Sequence, residues 1–154
     1  NMTENEARKL KLSEHFSLWE FLYSDTAVKH GLMGRQLEIG GEHVNNLKRL
    51  CDNVLEPLRL KFGVVVVTSG YRCKELNRIV GSSPTSQHTV GEAADVTVSK
   101  GNREAFEWLA KNVVFDQLID EYNFSWVHVS HKAANNRFML LKIDSGGTKR
   151  ITIK

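Results

Sequence analysis

The chain has 154 residues, 41% of them hydrophobic and 25% charged, with a formal net charge of +3. That length fits one domain whose core needs no disulfide staples, and no apolar run approaches the ~20 residues of a membrane-spanning helix. The basic residues are scattered rather than gathered with aromatics on one stretch, which argues against a nucleic-acid interface and leaves the charge as solvated surface.

Residues 1–11 are polar and carry no apolar core of a secretory signal. They are expected to be a flexible segment ahead of a single domain over 12–154, in a protein made in the cytoplasm. Cys51 and Cys73 lack C-x-x-C spacing and read as free structural thiols, a Cys51–Cys73 disulfide being the less favoured alternative. In Phe16-Ser17-Leu18-Trp19-Glu20-Phe21 a serine precedes glutamate by three and an apolar pair flanks both, the pattern of a capping box with a hydrophobic staple, so a short helix starts at Leu18. Ser24 to His30 reads as a second short helix stopped by Gly31, and Gly40-Gly41 marks a break.

From Glu42 to Phe62, Val44, Leu47, Leu50, Cys51, Val54, Leu55 and Leu58 recur at three- and four-residue spacing, which predicts a long core helix that Pro57 kinks or divides and Gly63 stops. Val64 to Thr68 is β-branched throughout and predicts a strand buried on both faces, leading into Arg72. Lys74 to Val80 reads as a short helix and 81–85 as a loop. Ala93 to Val98 reads as a strand with Asp95 and Thr97 on one face, and Asn102 as the cap of a helix through Lys111 with Ala105, Phe106, Leu109 and Ala110 inward. Phe115 to Glu121, Trp126 to Ser130 and Arg137 to Ile143 read as three strands in antiparallel sequence, with Arg150 to Ile153 a last strand-like piece. Helices followed by strands indicate an α+β fold, helices packed on a mostly antiparallel sheet.

One stretch stands apart. Ser86-Gln87-His88-Thr89-Val90-Gly91-Glu92-Ala93-Ala94-Asp95 holds a histidine and a carboxylate among small residues, two of the three protein ligands a hydrolytic zinc keeps. The third candidate is His128, since alternation in Trp126-Val127-His128-Val129-Ser130 places Trp126, His128 and Ser130 on one strand face. His131, three residues on, falls on the opposite face, and His15, His30 and His43 read as structural.

Together with Thr68-Ser69-Gly70-Tyr71-Arg72, these motifs occur in the order and spacing of the M15 zinc peptidases, which the chain resembles over roughly residues 12 to 143. The resemblance implies a hedgehog/DD-peptidase-like fold and zinc held by His88, Asp95 and His128. It implies hydrolysis of peptidoglycan stem peptides, as a D,D-carboxypeptidase or an L-Ala-D-Glu-type endopeptidase. A monomer is expected, acting at the cell wall after release in the manner of a phage endolysin. Arg72 falls on the family's substrate-binding arginine, whose planar fork suits a peptide carboxylate. Trp126 and Ser86 read as substrate contacts, Ser86 equally as a residue that shapes its loop. Gly91 and Ala93 are small so that the loop from His88 can fold back and bring Asp95 to the same metal.

The chain departs from the family at Ser125, where several members carry the acid that takes a proton from the attacking water. The nearest acids are Asp120 and Glu121. Alternation puts Glu121 with Gln117 and Ile119, and Asp120 with Leu118 on the other face, so Glu121 is the favoured base and Asp120 the open alternative. A module that holds zinc and binds the wall without turnover is the competing function, and Ser125 is the feature that supports it.

Overall fold

The computed structural model describes residues 1–153. Six strands, β1 (Val65–Ser69), β2 (Ala93–Val98), β3 (Gln117–Glu121), β4 (Trp126–Ser130), β5 (Met139–Asp144) and β6 (Gly147–Arg150), form one sheet in the order β1-β2-β4-β3-β5-β6. Every neighbouring pair is antiparallel except β3 and β5, which run parallel. The expected antiparallel run of three strands is thereby corrected. Both edges of β4 are taken by β2 and β3, so the chain leaving β4 crosses to the free edge of β3, where it has the direction of β3 itself.

Period-2 alternation assigns the two faces. Ala94, Val96, Leu118, Val127 and Val129 face the helices, where they pack with Leu47, Leu50, Leu55, Leu58 and Phe106 in one core. Asp95, Ile119, Glu121, Trp126 and His128 occupy the other face. The expectation of an α+β domain with helices on one side of the sheet holds.

The long helix predicted over 42–62 is α5 (Gly41–Leu50), a π-helical stretch at Cys51–Leu55 and α6 (Glu56–Phe62). Pro57 offers no N–H and its ring crowds the carbonyl four residues back, and the wider π turn ahead of it accommodates both. Gly63 ends α6 at φ +83°. Helix α2 (Leu18–Leu22) starts as expected, with Glu20 accepting the Ser17 backbone N–H at 2.8 Å and Phe16 packed edge-on against Phe21. Helices α3 (Asp25–Lys29) and α7 (Lys74–Ile79) also lie where predicted.

Other expectations change. Residues 4–9 form α1 (Glu4–Lys9) with Ala7 fully buried, so the segment read as flexible is helical; Thr3 and Glu6 make the capping box that starts it. Strand β1 is an edge strand with Val66 half-exposed, not a strand buried on both faces, because β-branched composition reports a pleated surface and not a central position. Helix α4 (Met33–Gln36) was not anticipated. Asn102 opens α8 (Asn102–Asn112) without capping it: its Oδ1 accepts from the Val98 N–H and its Nδ2 donates to the Phe124 carbonyl, tying β2 to the β3–β4 turn. The last strand lies at 147–150, not 150–153. Both cysteines are buried free thiols, and burial raises the pKa of Cys51.

Candidate metal centre and cleft

Asp95 on β2 stands directly opposite His128 on β4, and Ile119 on β3 stands on the far side of His128, so sheet register alone lines up the floor of a site. The third member arrives from a loop. His88 sits in a 3-10 turn at Gln87–Val90, capped at its start by Ser86 Oγ, which accepts the His88 N–H at 3.3 Å, and at its end by Gly91 at φ +77°. The His88 Nδ1 pairs with the Gly70 carbonyl at 2.7 Å, so that nitrogen carries the proton and Nε2 is left with its lone pair.

That Nε2 is buried without a hydrogen-bond partner, 3.4 Å from Asp95 Oδ1, and His128 Nδ1 lies 3.0 Å from the same oxygen. One donor atom from each of the three residues lies within 4.8 Å of the others. Two donors bound at the usual 2.0–2.1 Å to a tetrahedral zinc stand about 3.3 Å apart, so the spacings fit one ion, which would also satisfy the orphaned imidazole nitrogen. Burial works against the charge on Asp95, yet the two imidazoles hold its carboxyl well below the usual range; burial also keeps His88 neutral, the form that binds a metal.

Arg72 reaches the centre because β1 ends in a bulge: Val67 pairs with Val96 and Ser69 with Asp95, leaving Thr68 as an extra residue that turns the chain. Its guanidinium donates to Ser69 Oγ (3.3 Å) and Asn77 Oδ1 (3.0 Å), with Nη2 3.8 Å from Asp95 Oδ2. Gln36 holds the segment from both sides, donating to the Leu22 and Tyr71 carbonyls and accepting the Cys73 N–H. No sequence pattern marked Gln36 or Asn77, because a buried amide that bridges loops leaves no periodicity.

These groups open on a cleft of roughly 740 Å³, whose walls include Arg72, Ser86, Glu121, Tyr122 and Trp126. Glu121 shares the site face as alternation predicts; burial, then the negative Asp95, raises its pKa. Trp126 packs against Tyr122 with ring centroids 5.6 Å apart. Asp120 lies buried on the opposite face, where its Oδ1 accepts the Phe124 N–H at 2.6 Å. That bond steadies a turn in which Tyr122, Asn123 and Phe124 all have positive φ. Ser125 belongs to the same turn, its hydroxyl donating to the Tyr122 carbonyl, and it does not line the cleft. His131 pairs with the Val114 carbonyl.

A family model described as Peptidase M15 matches residues 14–130, a span that holds His88, Asp95, His128, Arg72 and Glu121 and ends with β4. No curated protein matches the chain.

Proposed function

The chain belongs to the M15 peptidase family, and from that premise we propose that it is a zinc peptidase of peptidoglycan stem peptides, with His88, Asp95 and His128 as its metal ligands. The observation that carries the reading is the orphaned His88 Nε2, buried with an Asp95 oxygen and a His128 nitrogen at the floor of a cleft that also holds Glu121 and Arg72. Zinc bound there supplies a Lewis acid for the scissile carbonyl and lowers the pKa of the attacking water.

The remaining work falls to the chain. Glu121, its pKa raised by burial and then by the negative Asp95, accepts a proton from the attacking water and returns it to the departing amine. Arg72, its fork set by Ser69 and Asn77, holds a carboxylate of the substrate beside the metal ligands. Trp126 and Tyr122 offer an aromatic wall for the peptide, and Ser86 holds the His88 turn while facing the same cleft. Such a cleft suits a D,D-carboxypeptidase as well as an L-Ala-D-Glu-type endopeptidase, and in either case an enzyme acting at the wall after release. The wall-binding alternative rests on Ser125, which sits in the turn and outside the cleft, while Glu121 stands in the wall. Incubation of purified muropeptides with the zinc-loaded protein, read by mass spectrometry, tests the proposal: a new pair of fragments supports it and intact muropeptides oppose it.

A further inference from the structure

Arg137 lies beyond the span matched by the family and outside the machinery described so far. It comes from the crossing between β4 and β5 and is clamped to Asp116: its backbone N–H and Nε donate to Oδ1 at 3.0 Å each, and Nη2 donates to Oδ2 at 2.6 Å. Asp116 is fully buried, with Lys132 Nζ 3.8 Å from the same carboxylate. A buried carboxylate needs such a partner, which accounts for one edge of the guanidinium. The other edge is free: Nη1 makes no hydrogen bond among the described residues, the side chain is 51% exposed, and Arg137 lines the cleft. A planar fork locked on one edge and open on the other is pre-organised to take a second carboxylate.

Its place on the sheet differs from that of Arg72. Arg72 lies on the β1–β2 side, 3.8 Å from Asp95, whereas Arg137 lies on the β3–β5 side. Ile119 is opposite His128, and Asp116 precedes Ile119 by three residues, about 10 Å along the strand at ~3.3 Å per residue. An extended peptide covers that distance in about three residues. We propose that Arg137 is a specificity residue that binds a second carboxylate of the substrate, selecting acidic peptides whose extra carboxylate stands about three residues from the cleaved bond. The inference rests on the peptidase reading above.

The test is a pair of synthetic stem peptides identical except that the distal carboxylate is free in one and amidated in the other. Wild type should favour the acid at least tenfold in kcat/KM, chiefly through KM, the order expected of a charged hydrogen bond. Arg137→Gln should bring the two peptides to equal kcat/KM, and Arg137→Lys should restore part of the preference, an effect that a purely structural role for Arg137 would not produce. Circular dichroism and zinc content identify a folded variant; if Arg137→Gln does not fold, the wild-type pair and Arg137→Lys decide. Equal use of both peptides by wild type, or a preference that survives Arg137→Gln, overturns the inference. Should neither peptide be cleaved, the peptidase reading fails by itself, and equilibrium binding of the same pair to the zinc-loaded protein decides the inference, equal affinities overturning it.

Discussion

Gly91→Ala separates the backbone geometry of the site from its ligand chemistry. Gly91 closes the turn that carries His88, at φ +77° and ψ 17°, where an alanine pays about 1–2 kcal/mol for the left-handed conformation. A Cβ there would stand 2.5 Å from the His43 carbonyl oxygen and 3.3 Å from Leu47 Cγ. The first contact is close to an ångström inside van der Waals distance, and it is with the backbone of α5, which cannot rotate away. Overpacking of this kind costs about 1–3 kcal/mol, so the variant should lose about 2–5 kcal/mol. For a chain of this length that is a fall in Tm of roughly 4–20 °C. Urea unfolding should show a lower midpoint at unchanged m, and a zinc competition titration should show weaker binding, since the turn that aims His88 has to shift. Gly34→Ala is the control: Gly34 lies within α4 with nothing within 4 Å of the added methyl, so it should be neutral or stabilising by up to about 1 kcal/mol. A Gly91→Ala protein within 0.5 kcal/mol of wild type would refute the steric argument.

Zinc at a hundredfold excess over its Kd should add about 2.7 kcal/mol of stability, a rise in Tm of roughly 5–11 °C that a chelator reverses and that Asp95→Ala abolishes along with zinc in elemental analysis. Arg72→Lys keeps the charge but cannot serve Ser69, Asn77 and a substrate carboxylate together, so kcat/KM on a stem peptide should fall by the roughly 1.5–3 kcal/mol of a charged hydrogen bond, with zinc content unchanged. Acid stability should depend on Asp116, whose carboxyl the Arg137 hydrogen bonds hold below its unfolded value of about 3.9. The unfolded chain therefore takes up the proton first; the contribution is present in full above about pH 4 and is lost as pH falls through the lower folded value. Urea midpoints from pH 3 to 7 should show a flatter acid limb in Asp116→Asn than in wild type.

The cluster of His88, Asp95 and His128 was legible because each residue sits in a local pattern: a short loop motif for His88 and Asp95, and strand alternation for His128. Alternation also separated Glu121 from Asp120, since a strand's two faces are fixed by parity whatever its neighbours are. What sequence could not carry is the order of strands. The parallel pairing of β3 with β5 depends on β2 having filled the edge of β4, a contact made by residues 33 positions earlier in the case of Asp95 and His128. The same limit concealed that β1 is an edge strand and that Asp116 and Arg137 meet. Helix α1 was legible in Thr3 and Glu6, but a polar run lacking an apolar stripe read as flexible. Gln36 is explained by the three backbone groups it satisfies, all on segments distant from it in sequence.

The claim that this cleft is a working zinc peptidase with Glu121 as its base is tested by stem-peptide cleavage with zinc-loaded wild type, Glu121→Gln and Asp120→Asn, read by mass spectrometry. Glu121→Gln keeps the side-chain volume and should keep the zinc, yet it removes the proton acceptor, so cleavage should fall by the roughly 10²–10⁴-fold typical of general acid–base catalysis. Asp120→Asn, on the buried face with its bond to the Phe124 N–H, should cost stability and leave cleavage within a few-fold of wild type. Full turnover by Glu121→Gln, or intact peptides after incubation with zinc-loaded wild type, would contradict the claim.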